Sequence, residues 1–83
     1  MKIGNAKAFF SLNQLTIEYI SSSEENSTLE LRDATGRMVF IYNNEILSGE
    51  NVIELNVSDI APGAYFVVIQ NNTEKKQIPV IIN

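Results

Sequence analysis

Ile60-Ala61-Pro62-Gly63-Ala64-Tyr65-Phe66-Val67-Val68-Ile69 is the stretch of this 83-residue chain that decides its fold. Its second half is a run of aromatic and β-branched residues, which is typical of a buried strand. Pro62 fixes φ near the value that a type II turn needs at its second position, and Gly63 supplies the positive φ needed at the third. We therefore expect a Pro-Gly turn that leads directly into a buried strand.

Tyr65 enters this strand with a ring to bury and a hydroxyl group that needs a hydrogen-bond partner. A strand tyrosine directly after a turn is typical of the tyrosine corner of immunoglobulin-like sandwiches. In that corner the hydroxyl group bonds back to nearby backbone. The sequence therefore predicts a tyrosine corner at residues 60–65.

The rest of the chain reads as short strands separated by turn residues. Three segments alternate apolar with polar residues, the period-two pattern of a half-buried strand: 15–20, 29–32 and 53–57. Between the last two lies 38–42, which is apolar throughout. Asp33-Ala34-Thr35-Gly36 has Asp first and Gly fourth, which favours a type I hairpin turn with a bulge glycine.

Other turn and loop positions complete the pattern. The polar segments 21–27 and 43–51 are expected to be loops, and Asn71-Asn72 suits a tight hairpin. The final segment, 77–82, is strand-like but contains Pro79, which has no N–H to donate to a ladder. We therefore expect an edge strand at the C-terminus.

Six or seven short strands without an amphipathic helix predict an all-β protein. The fold class that fits is an immunoglobulin/fibronectin III-like antiparallel β-sandwich of six to seven strands. Residues 1–8 show no period and are expected to be a linker or disordered N-terminal segment. Residues 9–83 are expected to form a single β-sandwich domain, since the chain is short enough for only one core.

The composition excludes several classes of function. The net charge is −4 and the six basic residues are scattered, so nucleic-acid binding, which needs clustered Lys and Arg, is not expected. No segment reaches the roughly 20 apolar residues of a membrane span, so we expect no membrane insertion. Without Cys or His the chain lacks the commonest nucleophile, base and metal ligand, and we expect no catalytic residue, metal or cofactor.

Two groups of polar residues suggest chemistry, but each has a simpler interpretation. Glu24-Glu25 lies in the expected 21–27 loop, and nothing fixes the carboxylate separation that glycoside hydrolysis needs. Asp33 with Asn43 and Asn44 offers oxygen atoms to Ca²⁺, but the spacing matches no calcium loop. Asp33 is already explained as a turn residue.

Two expected strands, at residues 38–42 and 65–69, contain more apolar residues than a single buried face of each strand would hold. If Val39 and Ile41 face the core, then Phe40 points outward, and the same alternation around Tyr65 places Phe66 outward. An apolar outer surface at Phe40 and Phe66 is large enough to contact a protein partner, unless the N-terminal segment or a loop covers it. Lys75-Lys76 is typical of a charged strand flank that blunts an edge, with partner recognition as the alternative.

Four segments resemble, in order and spacing, the C-terminal sorting domain of the type IX secretion system: 15–18, 29–39, 49–55 and 60–69. The resemblance covers roughly residues 15–76. It implies motif positions at Gly36, Arg37, Gly49, Pro62, Gly63 and Tyr65, and it matches Lys75 and Lys76 to a basic C-terminal segment.

The resemblance also implies a location and a partner. Members of that family, found in Bacteroidota, are immunoglobulin-like sandwiches at the ends of secreted enzymes and adhesins. This implies a non-catalytic secretion or surface-attachment module, recognised by a protein of the outer-membrane machinery after passage through the periplasm. The alternative is a stand-alone or accessory extracellular sandwich that binds protein or carbohydrate.

Overall fold

The computed structural model describes residues 3–21, 25–46, 49–70 and 74–83, which form seven antiparallel strands. The strands are β1 Ile3–Ser11, β2 Gln14–Ser21, β3 Glu25–Asp33, β4 Met38–Ile46, β5 Gly49–Asn56, β6 Gly63–Gln70 and β7 Lys75–Ile82. They build a three-stranded sheet in the order β1-β2-β5 and a four-stranded sheet in the order β4-β3-β6-β7. The predicted antiparallel sandwich is confirmed.

The core lies between the two sheets and takes alternate residues from most strands. Because successive side chains of a strand point to opposite faces, the period-two segments 15–20 and 29–32 each send their apolar residues inward, as predicted. Burying one such side chain contributes roughly 1.5 to 3 kcal/mol. The buried cluster comprises Leu15, Ile17, Tyr19, Leu29, Leu31, Val57, Tyr65, Val67, Ile69, Val80 and Ile82.

The β3–β4 hairpin has the predicted turn. The Gly36 N–H donates to the Asp33 carbonyl oxygen at 2.9 Å, and the Asp33 N–H donates to the Arg37 carbonyl oxygen at 2.9 Å. Gly36 has a φ of 88°, a left-handed conformation that glycine adopts readily. These are the features of a type I turn followed by a bulge glycine.

The N-terminal segment differs from the expected linker, because residues 3–8 form most of β1. Lys7 pairs with Glu18 and Ala8 with Ile17, and Ala8 packs against the core. The ladder shifts register between Gly4 and Lys7, so no regular period marks this strand in the sequence. Residues 1–2 lie outside the described residues.

The strands also extend into segments that were expected to be loops. β3 begins at Glu25 and buries Ser27, while β4 continues to Ile46 and β5 begins at Gly49. Backbone pairing between β3 and β4 accommodates the polar residues at these positions, since every residue contributes its own N–H and C=O to a ladder. Glu24 and the expected Asn71-Asn72 turn lie outside the described residues.

The expected type II turn at Pro62-Gly63 does not form. Gly63 has a φ of 159°, close to extended backbone, and is the first residue of β6. The chain reverses earlier, where the Ile60 N–H donates to the Val57 carbonyl oxygen at 3.0 Å. The physical reason is topological: β5 and β6 belong to different sheets, so the connection crosses the sandwich and is not a hairpin.

β4 presents the opposite face from the expected one. Phe40 pairs with Leu31, and directly paired residues of antiparallel strands point to the same side. Phe40 therefore packs against the core, whereas Val39 and Ile41 are exposed. A strand that is apolar throughout gives no alternation from which its inner face can be read. Phe66, in contrast, does point outward and is half-buried.

Candidate recognition surface

The strand register gathers most of the predicted motif residues at one end of the sandwich, which we call the corner end. There Asp33 pairs with Tyr65, and Gly63 pairs with Ile82. The β3–β4 turn and the start of β6 therefore lie together, beside the last residues of the chain. The motif residues at the corner end are Gly36, Arg37, Pro62, Gly63 and Tyr65.

Three other residues singled out in the sequence, Gly49, Lys75 and Lys76, lie at the end of the sandwich opposite the corner end. Gly49 pairs with Ser21, and Lys75 pairs with Gln70 at the start of β7. Lys76, which pairs with Ile69, is half-buried, whereas Lys75 is exposed. At roughly 3.3 Å per residue, the two ends of β7 are roughly 23 Å apart. The structure thus separates Gly49 and the two lysines from the corner end.

The corner end contains the predicted tyrosine corner. The Tyr65 hydroxyl group donates a hydrogen bond to the Ala61 carbonyl oxygen at 2.5 Å, and the Tyr65 ring belongs to the buried core. This bond joins the start of β6 to the segment that connects it with β5. The corner therefore fixes where the chain enters the four-stranded sheet.

Asp33 organises the turn beside the corner. Its Oδ1 atom accepts hydrogen bonds from the Thr35 hydroxyl group at 2.6 Å, the Thr35 N–H at 3.0 Å and the Arg37 N–H at 3.0 Å. The bond from the Thr35 hydroxyl group is the largest effect on the pKa of Asp33 and lowers it. Burial, the second effect, opposes this, and the two backbone N–H bonds and the Arg37 charge lower the pKa further, so that it lies below its ordinary value. These contacts give Asp33 the turn role that the sequence predicts.

Arg32 links β3 to the same turn, a role the sequence analysis missed. Its Nε and Nη2 atoms lie 2.8 and 2.7 Å from Oε1 of Glu30, and its Nη1 atom donates to the Gly36 carbonyl oxygen at 2.8 Å. Arg37, the predicted motif residue, is 84% exposed and lies 3.4 Å from Asp33 Oδ2. The spacing of Glu30 and Arg32, two residues apart on one strand face, is the signal that predicts this pair.

Residues 11–83 match the family model described as the secretion system C-terminal sorting domain. This chain belongs to that family. Sorting domains of this kind mark proteins that the type IX system exports to the cell surface or the extracellular space. No curated protein matches the chain.

The family match settles the broad role of the chain. It supports a sorting signal on a secreted protein and an interaction with a protein of the secretion machinery, whereas the alternative of an independent binding domain gains no support from it. The family is non-catalytic in general. Within the four described segments, no helix has the length and apolar character that crossing a membrane requires.

The sorting domain carries the predicted C-terminal edge strand. β7 pairs with β6 and occupies the edge of the four-stranded sheet, with Pro79 at its middle opposite Phe66. On its other side lies β1, and the two strands border a groove. Mostly apolar residues line this groove: Ala8, Phe9, Phe10, Pro79, Val80 and Ile81.

The outer face of the four-stranded sheet lies next to β7. Phe66 pairs with both Arg32 and Pro79 there, whereas Val68, the next outward residue of β6, is fully buried. The N-terminal segment does not form a cover for this face, because residues 3–11 are a strand of the other sheet. Phe66 and Lys75 are thus outward-facing residues of the C-terminal hairpin of the sorting domain.

Proposed function

We propose that this sorting domain is a non-catalytic module that the type IX machinery recognises through β7 and the adjoining outer face at Phe66. Its role is secretion, or attachment to the cell surface, of the protein that carries it. The observation that carries the proposal is the placement of β7: the C-terminal strand of a sorting-domain family member occupies a sheet edge. The outward-facing side chains of this strand and of its ladder partner β6 form one surface that a partner can contact.

The charge distribution supports the same surface. The chain carries a net charge of −4, yet two of its six basic residues, Lys75 and Lys76, stand side by side at the start of β7. A local positive charge on an acidic domain favours an acidic patch on the partner and steers the encounter toward this end of the strand.

The predicted motif residues have a different role in this proposal. Tyr65 and Gly36 each form a hydrogen bond to another residue of the corner end. These bonds lie beside the pair of Gly63 and Ile82, where β6 begins and β7 ends. We infer that the corner end holds β7 in position and that the sandwich acts as one domain. The Arg37 side chain is 84% exposed and is available to a partner.

An export assay with paired surface variants tests the proposal. Residues 1–83 are fused to the C-terminus of a periplasmic reporter in a host with a working type IX system, and the exported fraction is measured. Surface substitutions are preferable to deletion of residues 75–83, because deletion also removes Val80 and Ile82 from the core.

Each variant on the proposed surface has a control on the other sheet. Lys75→Glu and Phe66→Ala are expected to lower the exported fraction, whereas Lys7→Glu and Val52→Ala, at exposed positions of β1 and β5, are expected to leave it unchanged. Circular dichroism verifies that each variant is folded. Equal export of all four folded variants contradicts the proposed surface.

A further inference from the structure

The turn of the β1–β2 hairpin contains an exposed leucine in a strained backbone conformation. Ser11 pairs with Gln14, so the turn has two central residues, Leu12 and Asn13, and their φ angles are 52° and 65°. Positive φ at both central positions is the mark of a type I′ turn, for which an Asn-Gly pair is favoured. Leucine is disfavoured there, because its Cβ atom approaches the following carbonyl oxygen.

The other left-handed positions hold residues that suit this conformation. Within the described segments they are Asn13, Gly36 and Gly49, and asparagine and glycine adopt positive φ more readily than leucine does. Leu12 is 94% exposed, so burial of its side chain does not offset the strain. Neither turn chemistry nor core packing accounts for a leucine here. A strained residue that the fold does not require points to a function of its side chain.

The tip of the hairpin is held in place by the end of β5. The Val57 N–H donates to the Asn13 carbonyl oxygen at 2.9 Å, and the Val57 side chain lies in the core. A backbone that is already fixed loses little conformational freedom when a partner binds, which favours affinity. Leu12 is therefore presented to solvent on a rigid support.

The surface beside Leu12 is apolar. Phe10 lines the groove between β1 and β7 together with Ile81, and Ile81 pairs with Ala64 near the start of β6. The tip thus lies at the corner end of the sandwich. Neither 8–17 nor 77–83 contains a charged side chain. A protruding aliphatic side chain beside an apolar groove fits a concave apolar pocket on a protein and does not fit a charged surface.

We propose that Leu12 is an anchor that inserts into an apolar pocket on a protein of the secretion machinery. This inference rests on the proposed sorting function, since a sorting domain interacts with a protein of that machinery. It adds a second contact, at the tip of the β1–β2 hairpin, to the proposed surface at β7 and Phe66. The backbone strain is then a loss of stability that accompanies a functional side chain.

Opposite effects on stability and export test the proposal. Leu12→Asn suits the left-handed backbone better but removes the apolar anchor. Its Tm is expected to rise by several degrees, because the strain is relieved. The initial rate of export of the reporter fusion is expected to fall roughly fivefold, a common effect of truncating an anchoring side chain. Thermal unfolding followed by circular dichroism and the export assay described above measure the two effects.

Two further variants separate the anchor from other effects. Leu12→Met keeps a flexible apolar side chain on the same backbone and is expected to retain export. Val52→Asn makes the matched change at a 60% exposed apolar side chain of β5 and is expected to leave export unchanged. Export of Leu12→Asn at the natural rate overturns the proposal. A lower Tm of Leu12→Asn also overturns it, because lost export then follows from lost structure.

The purified domain tests two other occupants of the tip. Sedimentation velocity detects a second copy of the chain, and co-sedimentation with vesicles of phosphatidylethanolamine and phosphatidylglycerol detects lipid. Neither interaction is expected, and either one overturns the proposal if Leu12→Asn abolishes it. The proposed function fails together with this inference if the natural fusion is not exported. Only this inference fails if the natural fusion and Leu12→Asn are exported equally.

Discussion

The Tyr65 hydroxyl group donates a hydrogen bond to the carbonyl oxygen of Ala61, four residues earlier, at 2.5 Å. Ala61 lies in the connection between the two sheets, and Tyr65 is the first core residue of β6. One side chain therefore fills the core with its ring and fixes the sheet crossing with its hydroxyl group. This links the corner to β7, because β6 is the ladder partner of β7.

Replacing Tyr65 with phenylalanine tests the contribution of that bond. Tyr65→Phe keeps the ring but leaves the Ala61 carbonyl oxygen without its donor, so the free energy of unfolding is expected to fall by about 1 kcal/mol. Urea unfolding monitored by circular dichroism measures the change. Tyr42→Phe, on the partly exposed β4 edge, is the control with an expected change near zero. Equal effects of the two variants contradict the role of the corner bond.

Arg32 and Arg37 are predicted to differ in their importance for stability. Arg32→Lys leaves one ammonium group where a guanidinium group reached both Glu30 and the Gly36 carbonyl oxygen, so we expect a loss of about 1 kcal/mol. Arg37→Lys alters an ion pair of a highly exposed side chain and is expected to cost less than about 0.5 kcal/mol. Denaturation midpoints of the two variants compare the effects, and a reversed order contradicts this interpretation.

The stability that Asp33 contributes is predicted to depend on pH. In the folded state its hydrogen bonds lower the pKa of the Asp33 carboxyl group below the ordinary value of 3.8, so folding favours the ionised carboxylate. The contribution is therefore complete above the unfolded pKa and is lost as the pH falls through the lower, folded pKa. Unfolding curves between about pH 2 and pH 7 measure this dependence. Compared with the natural chain, Asp33→Asn is expected to lose most free energy of unfolding near pH 7 and least near pH 2.

A separate experiment tests what lowers the pKa of Asp33. Thr35→Ala removes the hydroxyl group that contributes most, so the pKa of Asp33 measured by carbon-13 NMR is expected to rise toward its ordinary value. Thr16→Ala, on the other sheet, is the control. A pKa that Thr35→Ala leaves unchanged contradicts the assigned cause.

Gly36 is predicted to tolerate asparagine better than alanine. At a φ of 88° a side chain is strained even though a Cβ atom at Gly36 meets no atom within 4 Å. Gly36→Ala is therefore expected to lose about 1 kcal/mol, and Gly36→Asn less, because asparagine adopts left-handed conformations more readily. Thermal unfolding measures both variants. Equal loss in the two contradicts a conformational cause.

Much of the fold could be predicted from the sequence because apolar and polar residues alternate along several strands. Leu15, Ile17, Leu29 and Leu31 alternate with polar residues, and each is buried in the structure. Where alternation is missing the prediction failed: the β4 run around Phe40 gave the wrong inner face, and the register shift after Gly4 concealed β1. Local turn chemistry predicted the β3–β4 hairpin but not the sheet crossing at Gly63, which depends on topology.

The candidate surface was predictable only in part. Pro79 correctly indicated an edge strand, because a missing N–H is a local property. The separation of Lys75 from the corner end depends on strand order and register, which local patterns do not specify. Thr35 was missed although its spacing from Asp33 is typical of a side-chain-capped turn.

The central claim is that these 83 residues direct export through the type IX system. The most direct measurement compares the exported fraction of a reporter fused to residues 1–83 in a host with a working type IX system and in the same host with that system disabled. We predict export to the surface or medium in the first host and retention in the periplasm in the second. Periplasmic retention of a folded fusion in both hosts would contradict the claim.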